Sequence, residues 1–255
     1  FANFGQWFQE VRSPGGSLSI VNHGAATDGR AAALTIPGRP DLGPGDWASP
    51  GSASELVFNQ TFLYGKFETR VRFASCAERR EEVVNGIFTY FRGGDQNGNG
   101  ITDNSEIDIE QLCGTPSILW LTTYTDFDDF APGRLRKLSK KIDMRTGAYE
   151  VFTDWPPTLT EQGRVPGLSL PSFPDANQFY TVGFEWRADA VRYYIRLDGR
   201  ELDLFTIRDA SRIPRRQAGF LLNVWHASTH WTDGASADYP ASPATMLVDS
   251  VKIWR

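Results

Sequence analysis

The chain has 255 residues, 40% of them hydrophobic and 13% aromatic, which is ample for one sizeable core. Its formal charge is −5 and no basic patch stands out, which argues against nucleic acid and, more weakly, against a polyanionic substrate. No run of 18 apolar residues exists, so no segment reads as a membrane-spanning helix.

The chain begins at Phe1 rather than Met and carries no signal peptide, which points to processing or trimming. Its 24 glycines and 15 prolines suit a fold with many turns. Ser17–Val21 and Ala32–Ile36 read as strands, and Gly and Pro crowd positions 38–51. Asn59-Gln-Thr61 matches a glycosylation acceptor. Tyr64–Phe73 alternates, with Phe67, Thr69, Val71 and Phe73 on one face and charge on the other, as a half-buried antiparallel strand does. Val83–Phe91 is the next strand. Cys76 and Cys113 allow one disulfide or two buried thiols, and an even count does not decide.

Asp95–Glu106 fits the calcium-loop pattern D-x-[DN]-x-[DN]-G-x5-E. An EF-hand needs flanking helices, and both flanks here read as strand. Two readings remain: a strand-to-strand loop binding calcium through Asp95, Asn97, Asn99 and Asp103, or a plain Asn-Gly-rich turn.

Ser105–Leu112 is the most informative stretch. Glu106, Asp108 and Glu110 are spaced i, i+2, i+4 with isoleucines between them, so a strand places all three carboxylates on one face. Like charges side by side on a strand repel. The outer Cα atoms are roughly 13 Å apart along a strand. Two glutamates leaning together reach the separation of about 5–6 Å that retaining glycosidases use. Crowding then raises at least one carboxyl pKa, giving a protonated acid beside an ionised nucleophile. The spacing by itself is equally that of an acidic, solvent-facing strand.

Further on, Ile118–Tyr124 is a strand carrying Trp120 and Tyr124. Leu135–Lys141 and Ala148–Trp155 form a strand pair, and 156–178 reads as Pro-rich and irregular. Tyr180–Trp186, Val191–Leu197 and Glu201–Phe205 are consecutive strands, the last two joined by a tight turn at Asp198-Gly199. Arg208–Arg212 reads as a helical turn. Gly219–Trp225 sets Asn223 and Trp225 on one face, and Thr245–Trp254 closes the chain. Regular strands without long helices predict an all-β antiparallel sandwich, one domain over 1–255. His23, His226 and His230 do not have zinc-site spacing, and no nucleophile elbow or phosphate loop occurs. Arg79-Arg80 and Arg215-Arg216 read as solvated charge.

Glu106-Ile-Asp-Ile-Glu110 resembles the active-site strand of glycoside hydrolase family 16, in its unbulged form. Tyr64–Arg72, Phe88-Thr-Tyr90, Phe184-Glu-Trp186, Val191–Tyr194 with Asp198-Gly199, Ile213-Pro214, Leu222–Trp225 and Val248–Trp254 resemble further family blocks in the family's order, from about Glu55 to the end. The nearest resemblance is to the bacterial lichenases, which are endo-1,3-1,4-β-glucanases. It implies a concanavalin-like jelly roll with a substrate cleft across its concave sheet, Glu106 as nucleophile, Glu110 as acid and then base, and Asp108 tuning both. Glu55, Tyr124, Asn223 and Trp225 match cleft residues. Asp249 matches an aspartate that helps hold a structural calcium. No cofactor is implied for catalysis.

Four positions depart from the lichenase pattern. Asn104 replaces a Trp, Val57 an Arg and Thr122 an Asn, and the loop 93–104 is longer. These bear on the substrate more than on the reaction. The expectation is a secreted, monomeric, retaining endo-β-glucanase. Its rivals are the same scaffold on another polysaccharide such as xyloglucan or galactan, a transglycosylase, or a non-catalytic lectin.

Overall fold

The structure, a computed structural model, describes residues 8–12, 15–41, 53–76, 83–95, 98, 100, 103–127, 136–154, 156–226 and 238–255. Arg79, Arg80, Asn97, Asn99, Trp155 and His230 lie outside the described residues.

Two antiparallel sheets face each other. The first runs in the order β1 (Phe8–Arg12), β4 (Ala53–Phe62), β15 (Ala218–His226), β6 (Val83–Phe91), β7 (Asn104–Leu112), β8 (Ile118–Phe127), β9 (Arg136–Asp143), β10 (Ala148–Thr153), β11 (Thr158–Arg164). The second runs β14 (Arg200–Ile207), β13 (Val191–Leu197), β12 (Tyr180–Trp186), β5 (Gly65–Arg72), β16 (Ala244–Trp254), β3 (Arg30–Ile36), β2 (Ser17–Asn22). This is the expected jelly-roll sandwich.

The core follows from the period-two alternation of both sheets. Ile107 and Ile109 of β7 point inward with Leu119 and Leu121 of β8, and all four are buried. From the second sheet, Phe67 stacks on Phe184 at 4.9 Å and meets Phe220 of the first sheet at 5.1 Å. Such ring contacts, within a sheet or across the core, add about 0.5–1.5 kcal/mol each beyond area burial. Buried Trp186 satisfies its indole by donating to the Pro214 carbonyl at 2.8 Å, which pins the crossover from β14 to β15.

Cys76 and Cys113 are joined in a disulfide, Cα–Cα 5.5 Å, tying the segment after β5 to the end of β7. The Asp198-Gly199 turn has positive φ at both residues, 49° and 76°, as a two-residue hairpin of the primed type requires. The helical turn is a 3-10 segment, Ala210–Arg212, capped by Asp209, whose side chain accepts from Ser211 N.

The region 156–178 is not wholly irregular: β11 forms an edge strand paired to β10. Every residue of β11 is exposed. With both faces wet, the strand has no apolar alternation to reveal it, and Pro156-Pro157 just before it reads as a breaker.

Candidate active site

The register of the first sheet lays its outer face out in rows that cross the strands. One row runs Glu55, Asn223, Gly86, Glu110, Trp120, Lys141, Glu150. The next has Leu221, Phe88, Asp108, Thr122, Ser139 and Phe152. The third has Gly219, Tyr90, Glu106, Tyr124 and Lys137. The three carboxylates therefore sit in successive rows on the central strand β7. Pairing is regular from Glu106 to Gln111 on both sides, and the one shift against β8 falls before Glu106. A bulge inside the motif would have turned one carboxylate inward.

Burial differs along the line. Glu106 and Glu110 are half-buried, whereas Asp108 between them is only 3% exposed. Burial first, then the charges of Glu106 and Glu110, push the Asp108 carboxyl well above the usual range. Its Oδ2 has no hydrogen-bond partner among the described residues. Burial also pushes Glu110 up to about 8, against the opposing charge of Lys137. Beneath the line, Tyr193 of β13 donates its hydroxyl to the Thr122 carbonyl at 2.5 Å, fixing β8 from across the core.

The other expected cleft residues lie around this line. Asn223 Nδ2 donates to Glu55 Oε2 at 3.2 Å. Burial raises the Glu55 carboxyl, and that hydrogen bond opposes the rise. Tyr124 is the cross-strand partner of Glu106. Trp225 packs with Trp120 against Val84 and Leu112, making a half-buried apolar platform at the Glu110 end. Such a surface suits the apolar face of a sugar ring.

Three outer-face residues escaped sequence reasoning as site residues. Trp120 is the cross-strand neighbour of Glu110. Lys137 shares the row of Glu106. Gly86 separates Glu110 from Asn223, and a Cβ there would stand 2.4 Å from Asn223 Oδ1. The missing side chain at Gly86 is therefore what lets the Asn223 amide lie over that position.

Asp249 lies on β16 of the second sheet, away from the carboxylate line. Its side chain is fully buried. Oδ1 accepts from Thr27 N at 2.7 Å, and Oδ2 accepts from Thr27 Oγ1 at 2.7 Å and from Arg70 Nη1 at 2.6 Å. Arg70 also donates twice to the Ala25 carbonyl, 3.1 Å each, and lies 4.8 Å from the Phe179 ring centroid. Calcium takes six to eight oxygens. Here a guanidinium already occupies the carboxylate and the nearby carbonyl, and among the described residues no three metal-ligating side chains converge. This donor set does not fit a calcium ion. Any effect of chelation on the melting temperature is accordingly expected to be the same in wild type and Asp249→Asn, whereas Arg70→Met lowers stability by about 1–3 kcal/mol by stripping a buried carboxylate of its charged donor. A chelation effect present in wild type and lost in Asp249→Asn contradicts this.

In the other calcium-pattern loop, Asp95 Oδ2 accepts from Gly100 N at 2.8 Å, a turn contact. Asp103 is buried at the entry to β7. Glu106 stands on the outer face beyond it.

No protein-family model matches the chain. A xylanase/β-glucanase of Ruminococcus flavefaciens is 24% identical over 184 residues, 72% of this chain. The chain spans only 17% of that relative's length. Among solved structures, a prokaryotic β-1,3-1,4-glucanase (lichenase) derived from a mouse hindgut metagenome aligns over 98% of this chain and 92% of its own, with TM-score 0.54 and 19% identity. The fold is the lichenase fold. The β-glucanase of Bacillus licheniformis aligns over the same shares, with TM-score 0.54 and 17% identity. The lichenase fold is shared by a Crh5 transglycosylase in complex with NAG, over 97% of this chain and 87% of that one, with TM-score 0.53 and 19% identity. The resemblance noted in the sequence is thus met in the fold.

Proposed function

We propose that the chain is a secreted retaining endo-β-glucanase of glycoside hydrolase family 16, acting on a mixed-linkage 1,3-1,4- or a 1,3-β-glucan. The observation that carries this reading is the line Glu106–Asp108–Glu110: three carboxylates on one strand face, with Asp108 and Glu110 held towards their protonated forms. A β-glucanase relative and lichenase-fold neighbours support it. The disulfide supports an oxidising, extracytoplasmic setting.

The chemistry follows from the charge states. Ionised Glu106 attacks the anomeric carbon, the glycosidic C–O bond breaks, and Glu110 gives its proton to the departing oxygen. Glu110, now a carboxylate, takes a proton from water as the water oxygen attacks the same carbon. The bond to Glu106 breaks and the carboxylate returns. Glu110 remains protonated at neutral pH because burial disfavours its anion. Asp108 sits between the two and adds little repulsion while neutral. The Trp120–Trp225 platform holds a sugar ring on the Glu110 side. A lectin would gain nothing from three crowded carboxylates, which disfavour one another.

The test is a product-profiled screen on lichenan, laminarin, xyloglucan, agarose and carrageenan. Shortened oligosaccharides from lichenan or laminarin are the expected result. Binding without cleavage on all five indicates a lectin. Longer products formed by transfer to an added oligosaccharide indicate a transglycosylase.

A further inference from the structure

A retaining glycosidase holds the scissile bond between its two carboxyls. Here both carboxyls stand on β7, with Asp108 between them in the middle row. A chain that passes between them therefore crosses β7 and runs along that row, from strand to strand. On one side of β7 the row continues through Thr122, Ser139 and Phe152 to Leu159, on β8, β9, β10 and β11. From β7 to β11 is four strand spacings, roughly 19 Å.

The far half of this row is apolar. Thr122 Oγ1 and Ser139 Oγ lie 2.9 Å apart and satisfy each other. Their small size lets larger side chains lean together over β9. The Trp120 and Phe152 ring centroids are 6.5 Å apart, although β9 separates their strands. Beside Phe152 stands Leu159, 46% exposed and the one apolar side chain of β11.

A β-bulge puts Leu159 there. Val151 pairs with Glu161, but the next residue, Phe152, pairs with Leu159, so Thr160 is an extra residue. Without the bulge Thr160 would oppose Phe152, and Leu159 would face the other way. The Thr160 hydroxyl donates to the Val151 carbonyl at 3.2 Å and holds the bulge. Bulges re-aim single side chains in this way at sheet edges and beside active sites.

A polar border runs alongside, in the row of Glu110. Lys141 Nζ lies 3.7 Å from Glu150, and Gln162 Nε2 donates to Glu150 Oε1 at 3.2 Å. The cation and the carboxylate of this border cancel, as suits an uncharged glycan. An apolar strip edged by donors and acceptors matches what a sugar chain presents, apolar ring faces and hydroxyl rims.

We propose that β10 and β11 carry a remote track for the glucan chain, on which Phe152 and Leu159 hold sugar rings several residues from the cleaved bond. The track continues the catalytic row without a break in pairing from β7 to β10, and the bulge completes it on β11. Its contacts are made equally before and during bond cleavage, so it acts on binding rather than on the chemical step. This rests on the reading of the site as a retaining glycosidase.

The experiment compares wild type with Phe152→Ala, Leu159→Ser and the double variant, with melting curves beside the rates. Leu159→Ser changes an exposed side chain, so the test stands even where Phe152→Ala destabilises the fold. The substrates are oligosaccharides of increasing length from lichenan and laminarin. The variants are expected to fall behind wild type by a factor that grows with chain length, to about tenfold in kcat/KM on the longest, through KM with kcat kept. No loss at any length, or the same loss at every length, overturns the proposal and leaves the glycosidase reading standing. Self-association of the wild type that Leu159→Ser abolishes assigns the strip to a second copy of the chain and also overturns it. Amide NMR reads the track without catalysis. Shifts at Phe152 and Leu159 on adding the long oligosaccharides, weakened in Leu159→Ser, in a protein that cleaves none of them support the track and overturn the glycosidase reading instead.

Discussion

Glu106→Gln is expected to abolish glucan hydrolysis and leave the fold intact. The amide keeps the size of the side chain but has no negative oxygen to form the glycosyl-enzyme bond. Loss of a nucleophile that acts within a concerted unit costs about 10⁴-fold or more. The fold should not suffer, because Glu106 is half-buried and the core side of β7 is Ile107 and Ile109. With Asp108 and Glu110 held towards their protonated forms, the substitution removes no like-charge repulsion at neutral pH. The variant should therefore melt close to the wild-type temperature there. Hydrolysis at the wild-type rate would show that Glu106 is not the nucleophile. Loss of activity together with a collapsed melting transition would make the substitution uninformative about chemistry, and the melting curve is measured beside the rate for that reason.

Glu110→Ala is expected to lower turnover of the polysaccharide by about 10²–10⁴-fold, the range for a general acid. Glu106 would still attack, but the departing sugar oxygen would leave without a proton. On an aryl glycoside of the same glucan unit, whose leaving group needs no proton, azide, which needs no base, should restore turnover in the second step and yield a glycosyl azide of retained configuration. No rescue would place the acid–base role elsewhere. The pH behaviour of the wild type follows from the same residue. Activity should fall on the alkaline side as Glu110, raised to about 8, loses its proton.

The stability consequence has a definite sign. Below the ordinary glutamate range Glu110 is protonated in both folded and unfolded chains. From there up to about 8, the folded chain keeps a proton that the unfolded chain has released. The raised carboxyl therefore contributes stability at low pH that is lost as pH rises through that window. Glu110→Gln should flatten this part of the stability profile and be relatively more stable than wild type at pH 9.

The carboxylate line was legible in the sequence because strand alternation is local. Residues two apart share a face whatever the rest of the chain does, and the isoleucines between the acids marked the buried side. Glu55, Tyr124, Asn223 and Trp225 were legible only through resemblance. What they do together depends on register, and register pairs residues far apart: Gly86 with Glu110, Asn223 with Glu55. Lys137 carries no local mark within the predicted strand Leu135–Lys141; only pairing places it two strands from Glu106.

Asp249 shows the same limit in its partners. Its place on the closing strand could be read, but the groups that fill its carboxylate, Arg70 and Thr27, lie 179 and 222 residues away. No local pattern carries that information. The edge strand β11 was hidden for a different reason: a strand wet on both faces has no hydrophobic period.

The central claim is double displacement on the Glu106–Glu110 line. Proton NMR of the first reducing end released from lichenan or laminarin tests it most directly, before mutarotation mixes the anomers. The account predicts the β anomer, with the configuration of the cleaved bond retained. The α anomer would contradict it, because inversion needs a water, not Glu106, at the anomeric carbon.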